Sequence, residues 1–407
     1  MLVVISDLHL EECTFCVPAS LRRNRNLDPQ TYEHFIYDLA EDALENHARS
    51  VDLVLAGDVF ELNRSYFWYE DGIKPYVALQ TITEGSEQEK KILRLLELIG
   101  KEERVAKTLE IFRKLPSYFP MELHLHYLLG NHDRLVNATP AIRCKARELL
   151  GMPASDDLLP HTFTYFSEGK PLAFVRHGQE YDPMNFSVPF QSASLIPAEI
   201  PLEEYSAAPV EDFSAVEIIY KLPYLFMQHY GVPAILEDEK LNNLYHRLGE
   251  FEDVRPQSAL MNYIFHAPGF SRRQVWSYLE PVILDELSSL RRDPFLKSPA
   301  MRGNLLKAFL RLNPWKKNIP FVLVRRFSSS ITKHIGENES NLPIAKEEVL
   351  KTYANSLRCI ISGHTHQPQV ALIDAPDGIE RYYFNSGTWR NVVPVSANQN
   401  HFGRINT

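Results

Sequence analysis

Short, uniformly apolar runs punctuate this chain, and between them apolar positions recur every three to four residues. Leu2-Val3-Val4-Ile5 and residues 51–56, 123–129, 172–175 and 359–361 read as buried strands. Residues 31–47 put Phe35, Ile36, Leu39, Ala40, Ala43 and Leu44 on one side of a helix. Residues 87–115 predict one or two helices broken near Gly100, and residues 141–150 a shorter one that stops at Gly151. Val370-Ala371-Leu372-Ile373 and residues 381–384 predict two more strands around a turn at Pro376-Asp377-Gly378. Strands alternating with helices, followed by paired strands, predict an α/β architecture.

The pattern changes between residues 184 and 354. That stretch is mainly helical (215–230, 273–292, 305–312 and 344–354), with proline-rich breaks and no histidine in a catalytic setting. It reads as a helical insertion, a cap. Residues 1–183 and 355–407 read as the two halves of one catalytic domain. The 407 residues, 44% hydrophobic and 23% charged, suit a globular protein with a large core. No run approaches the roughly 18 apolar residues that span a bilayer. A strand starting at Leu2 leaves no room for a signal peptide, so a cytoplasmic location is expected. Four cysteines in so long a chain form no disulfide framework, and the Cys13–Cys16 pair has no second pair to complete a zinc tetrahedron.

Charge is distributed unevenly. The net charge is −9, yet residues 291–333 hold eleven Lys and Arg against the single acid Asp293. That stretch therefore carries +10 and the rest of the chain −19.

Chemistry concentrates at the ends of the predicted strands. Asp7-Leu8-His9, Gly57-Asp58-Val59-Phe60-Glu61, Gly130-Asn131-His132-Asp133, Arg176-His177-Gly178 and Gly363-His364-Thr365-His366 each follow one of them. Side chains two apart on extended backbone share a face, so Asp7 and His9 can grip one ion, and His364 and His366 can reach one each. Asp58 can give one carboxylate oxygen to each of two ions, Asn131 a neutral amide oxygen and His177 another imidazole. Seven donors leave positions open for water and a phosphate oxygen. Two ions about 3.5–4 Å apart can activate water and clamp an in-line displacement. His132, next to Asn131, is the candidate general acid for the leaving group, with Glu61 and Asp133 as carboxylates able to orient it. His124-Leu125-His126 has the same spacing but lies within a strand without a loop glycine, and is not read as a site.

These five motifs resemble those of the calcineurin-like metallophosphoesterases, D-x-H, G-D-x-x-[DE], G-N-H-[DE], a lone His and G-H-x-H. The resemblance covers residues 1–183 and 357–390, including Asn385-Ser386-Gly387-Thr388-Trp389. It implies an α/β sandwich of two facing sheets flanked by helices. It further implies that Asp7, His9, Asp58 and His366 hold one metal and Asp58, Asn131, His177 and His364 the other. His132 would then assist the leaving group, oriented by Glu61. The two divalent ions are expected to be manganese foremost, with iron and zinc also suited to the donors. Asp7-Leu8-His9-Leu10 with Gly57-Asp58-Val59-Phe60-Glu61 is most similar to the bacterial branch that contains UDP-2,3-diacylglucosamine diphosphatases. That branch implies a nucleotide-linked lipid substrate at the inner membrane surface beneath a helical lid. Those enzymes carry Arg where this chain has His132, and they are shorter. Leu62-Asn63 replaces the Arg-Gly expected in Ser/Thr protein phosphatases.

Expectations for partners follow. The substrate is a phosphorylated small molecule or lipid-linked species carrying a phosphomonoester, phosphodiester or pyrophosphate bond. Arg134, Arg22 and Arg390 adjoin the motifs and are candidates to clamp a phosphate that is not transferred, as are Arg23 and Arg25. Residues 302–326 alternate bulky apolar and basic side chains, which suits either a lid helix packed on the core or a peripheral contact with anionic membrane. The same stretch lacks the aromatic and basic interleaving of a nucleic-acid groove. Two alternatives remain at this level: a DNA nuclease sharing these motifs, and a metal-binding interaction module without turnover.

Overall fold

A computed structural model describes residues 1–15, 17–186, 195–256, 259–290, 292–298, 301, 344–396 and 401–403. The chain forms two compact units. The first comprises Met1–Phe15, Asn24–Ala208 and Asn341–Arg390; the second comprises Cys16–Arg23, Pro209–Ser340 and Asn391–Thr407.

The first unit is mixed α/β. Strands β1 (Leu2–Ile5), β2 (Ser50–Ala56) and β3 (Glu122–Leu128) form a wholly parallel sheet in that order. A second sheet has the order β4-β5-β7-β9-β8, from β4 (Thr162–Ser167), β5 (Lys170–Arg176), β7 (Cys359–Ser362), β8 (Gln369–Asp374) and β9 (Arg381–Asn385). Its three central strands are parallel and its two edge strands antiparallel. The sheets meet through Val54, Ala56 and Leu128 of the first and Val175 of the second, with Leu2, Val4, Phe163 and Ile361 closing the same cluster. These are the apolar runs legible in the sequence: strands buried on their faces are apolar almost throughout.

Helices Pro29–Glu45, Glu87–Lys101, Glu103–Arg113 and Pro140–Leu150 belong to this unit. Each starts at a residue whose side chain accepts a backbone amide: Asp28 from Gln30, Ser86 from Glu89, Glu102 from Val105 and Thr139 from Ile142. The break expected near Gly100 falls at Glu102, where one residue ends a helix and caps the next.

The elements of this unit differ from the sequence reading at two places. Residues 344–354 form no continuous helix, only turns at Ile344–Lys346 and Val349–Thr352. The backbone between them is taken up elsewhere: Ile196 N donates to Lys346 O at 2.8 Å and Glu348 N to Ile196 O at 2.9 Å. Strand β4 was not anticipated, since Thr162–Ser167 mixes hydroxyls with aromatics and pairs only as the outer arm of a hairpin.

In the second unit the described residues are mostly helical, including Lys221–Tyr230, Glu239–Gly249 and Arg272–Leu290. A two-stranded parallel ladder joins β6 (Val254–Arg255) to β10 (Val393–Pro394) over a core of Val254, Ala259, Tyr263 and Val393. That ladder draws residues 391–407 into this unit, whereas the sequence reading placed them with the catalytic domain. Residues 16–23 also group here, Arg23 pairing with Glu250. Conversely, the described parts of 184–208 and 341–354 group with the first unit. The basic stretch 302–326, with the helix expected at 305–312, lies outside the described residues. Among the described residues no helix is long and apolar enough to cross a membrane.

Candidate metal centre

The five motifs sit at the carboxyl ends of parallel strands. Asp7 and His9 follow β1, Asp58 and Glu61 follow β2, Asn131 and His132 follow β3, His177 follows β5, and His364 and His366 follow β7. A parallel sheet presents all such ends along one edge, which is where open α/β sheets gather ligands. Backbone bonds lace the loops together: Asp7 N to Gly57 O at 3.1 Å, His9 N to Asp58 O at 2.9 Å and Gly363 N to His177 O at 2.9 Å.

Two glycines make this convergence possible by being small. A β-carbon on Gly363 would lie 2.2 Å from Asp7 Oδ2, and one on Gly57, which also has φ +90°, would lie 2.5 Å from His177 Nδ1. Five donors themselves adopt the left-handed backbone region: Asp7, His9, Asp58, His364 and His366, with φ between 45° and 70°. Asp and His tolerate this region better than most residues. Such backbone concentrates where function demands it.

Three groups of candidate ligands result: Asp7, His9 and His366; Asp58, His177 and His364; and His9, Glu61 and His132, the donor atoms of each group lying within 4.8 Å of one another. In the first, His9 Nε2 stands 2.9 Å from His366 Nε2 and 3.7 Å from Asp7 Oδ1, and His366 Nε2 is 3.2 Å from that same oxygen. In the second, His177 Nε2 is 3.1 Å from Asp58 Oδ2, and His364 Nδ1 is 3.1 Å from Asn131 Oδ1. Asp58 stands between the two groups. Its Oδ1 accepts His132 N at 2.8 Å, and Oδ2 faces both His177 and, at 3.7 Å, His9 Nε2. The main chain of the Gly130–His132 loop claims the other oxygen.

The residues fit a cation pair on three counts. Asp7 Oδ1 is buried without a hydrogen-bond partner, although it stands among donor atoms of other motifs. Buried polar atoms in folded proteins are rarely left that way. The donors combine imidazole, carboxylate and amide oxygen, a mixture suited to manganese, iron or zinc. The field is negative: burial alone would push His177 down, yet Asp58 and Asp7 raise it to about 10. Burial likewise would raise Asp58, but His177 and His132 hold it well below the usual carboxylate range. Burial keeps His9 far below an ordinary imidazole, leaving it neutral and able to ligate.

Glu61 organises the third group. Its Oε1 lies 2.9 Å from His132 Nδ1 and its Oε2 2.9 Å from His9 Nδ1. Burial and Arg64 depress His132, but Glu61 and Asp58 outweigh them and lift it to about 9.

Other expected residues are placed differently. Asp133 does not reach His132 in this arrangement. Its Oδ2 accepts Val59 N and the Tyr127 hydroxyl at 2.9 and 2.7 Å, and its Oδ1 accepts Gly130 N at 2.6 Å, so it ties the second and third motifs together. Arg134 is buried and donates to Val77 O and Ser206 O. Arg390 is buried too; it donates to His9 O at 2.7 Å and pairs with Glu11 at 3.0 Å, which fixes the backbone of a ligand. Arg22 is exposed, donates to Val17 O and groups with the second unit. His126, set aside in the sequence, meets Asp52 at 2.9 Å within the first sheet.

The structure adds residues that spacing did not flag. Arg64 is buried, with Nε 3.0 Å from Glu61 Oε2 and an Nη2 3.5 Å from His132 Nε2. It lies three residues beyond Glu61 in the same loop, and that closeness was the available signal. Ser6 donates to Asp7 Oδ2. Asp182 and Asn185, from the turn after His177, reach His364 and Asn131; no spacing rule connects them. Compared with known proteins, the chain matches no family model and no curated sequence.

Proposed function

We propose that this chain is a metal-dependent hydrolase of phosphoric esters or anhydrides, of the calcineurin-like metallophosphoesterase kind. The observation that carries the reading is the meeting of five strand ends around Asp58 Oδ2, with imidazoles of different motifs 3.1 and 3.7 Å away. The three- and five-stranded sheets facing one another support the two-sheet sandwich of that family. Asp7, His9, Asp58 and His366 would hold one ion, and Asp58, Asn131, His177 and His364 the other. When bound, two such divalent cations supply a nucleophile near neutral pH and neutralise charge on the phosphoryl group.

The chain's own side chains do the rest. Held at Nδ1 by Glu61, whose carboxylate favours the protonated ring, His132 presents Nε2 and would deliver the proton to the departing oxygen. Arg64 brings a fixed positive charge beside that nitrogen and takes a phosphate oxygen, the role sequence reading gave to Arg134, Arg22 and Arg390. Asn131 contributes an oxygen without adding charge. Burial of Asp7, His9, Asp58 and His177 excludes water from the ligand side and strengthens these interactions. The likeness of the first two motifs to UDP-2,3-diacylglucosamine diphosphatases favours a nucleotide or nucleotide-linked lipid as substrate. A cytoplasmic setting accords with the free thiols of Cys144 and Cys359.

Purified protein reconstituted with Mn²⁺ should hydrolyse an aryl phosphate monoester, a diester or a pyrophosphate, lose that activity to a chelator and regain it with metal. Inactivity on all three with manganese, iron and zinc would contradict the proposal.

A further inference from the structure

Four side chains form a ring of polar contacts beside the candidate second ion. Asn131 Nδ2 donates to Asn185 Oδ1 at 2.9 Å, and Asn185 Nδ2 donates to Asp182 Oδ2 at 2.8 Å. His364 Nε2 lies 3.4 Å from the same Asp182 oxygen, and His364 Nδ1 faces Asn131 Oδ1 at 3.1 Å. Asp182 is itself anchored, since its Oδ1 accepts Met184 N at 2.8 Å and its backbone carbonyl accepts the amides of Asn185 and Phe186.

An ionised carboxylate can only accept hydrogen bonds, and this sets the direction of every bond around the ring. On one side Asn185 must turn its amino group to Asp182, so it offers oxygen to Asn131. Asn131 must then spend its amino group there, which leaves its Oδ1 facing inward. On the other side His364 points an Nε2 proton toward Asp182, and in the neutral ring this leaves Nδ1 with a lone pair. The two ends of the chain therefore meet as acceptor against acceptor, 3.1 Å apart. A contact of that kind is relieved either by a proton on Nδ1 or by a metal ion between the lone pairs, so a bound metal takes the place of that proton.

We infer that Asp182, acting with Asn185, is a positioning residue that orients Asn131 and His364 as ligands of one metal ion and not of its neighbour. The assignment rests on the two-metal reading above and deepens it. The other ion's histidine has a separate orienting carboxylate, since Glu61 Oε2 holds His9 Nδ1 at 2.9 Å. Each ion thus has its own outer support, and the two should be separable by mutation. Outer-shell partners of this type change metal affinity about 10–100-fold.

The test is Mn²⁺ titration into metal-free full-length protein, followed by calorimetry and by the electron paramagnetic resonance of unbound manganese. Wild type should take two ions. Asp182→Asn, which keeps the shape but lets the side chain donate, and Asn185→Ala should each weaken one ion about 10–100-fold and leave the other at wild-type affinity. Glu61→Gln should weaken the opposite ion. The melting temperature of the metal-free protein should stay near wild type in Asp182→Asn. Two ions bound at wild-type affinity in both ring variants would overturn the inference and leave the hydrolase proposal standing. So would a metal-free melting temperature that falls as far as the metal-loaded one, because the role would then be structural. A wild type that takes up no manganese, iron or zinc would overturn the hydrolase proposal and this inference together.

Discussion

His9 and His132 share one carboxylate: Glu61 holds the Nδ1 of each at 2.9 Å, and the two rings meet edge to face with centroids 4.8 Å apart. A candidate metal ligand and the candidate proton donor are therefore oriented by a single buried group. Both present Nε2 as a result, His9 toward Asp7, Asp58 and His366, and His132 toward Arg64.

That sharing separates two variants. His132→Ala should lower kcat about 10²–10⁴-fold, the range for loss of a general acid, with two metal ions retained. Glu61→Gln should lower kcat and also weaken one ion. Steady-state kinetics beside metal analysis distinguishes them, and wild-type turnover in His132→Ala would remove that residue from its role.

Arg64 and Arg134 make an instructive pair. Arg64→Ala should lower kcat/KM about 10–100-fold for a phosphate substrate, with little restored by lysine, because the planar fork pairs with two oxygens at once. Arg134→Ala should instead lower the melting temperature with kcat/KM near wild type, since its guanidinium serves the carbonyls of Val77 and Ser206. If the kinetic loss fell on Arg134 instead, Arg64 would not be the phosphate ligand.

Gly363→Ala tests how tightly the motifs interlock. The added carbon would sit 2.1 Å from Ser6 Oγ and 2.2 Å from Asp7 Oδ2, so Asp7 must move. Overpacking of this kind costs about 1–3 kcal/mol in stability. The displaced carboxylate should also weaken one metal ion. A variant matching wild type in melting temperature and manganese uptake would show that the loop relaxes freely.

Acid stability should report His161. Its ring is buried and stacks on Tyr205 with centroids 3.5 Å apart. Burial lowers its pKa to about 4 from an ordinary 6.5. The unfolded chain then binds the proton first, so this contribution is complete above pH 6.5 and is lost as pH falls from 6.5 through 4. His161→Phe keeps the stack and should flatten that limb of the stability profile, by at most about 3 kcal/mol. An unchanged acid limb would mean that His161 titrates normally.

Much of this was legible in the sequence because strand and ligand signals are local. Residues 51–56 are apolar enough to be buried on both faces, and Asp58 follows within two positions. The seven proposed ligands share that arrangement, each within a few residues of a strand end. What escaped depends on contacts between distant segments. Glu347 interrupts a helical pattern because Ile196 takes its neighbours' backbone groups, and Glu347 pairs with Arg176 at 3.2 Å. Val393 left the expected domain because its strand partner is Val254. Asp133 was a candidate to orient His132 and Arg134 to clamp phosphate, from proximity in the chain. Asp133 instead accepts Val59 N, Gly130 N and the Tyr127 hydroxyl, and Arg134 donates to the carbonyls of Val77 and Ser206, contacts set by loop geometry that residue types do not encode.

In the two-metal proposal, seven donors from five loops enclose two cations. Crystals grown with Mn²⁺, with anomalous scattering recorded at the manganese edge, test it most directly. Two peaks per chain are expected, one against Asp7, His9 and His366, the other against Asn131, His177 and His364, with Asp58 between them. No peak at this site, or a single peak ligated by residues outside these seven, would contradict it.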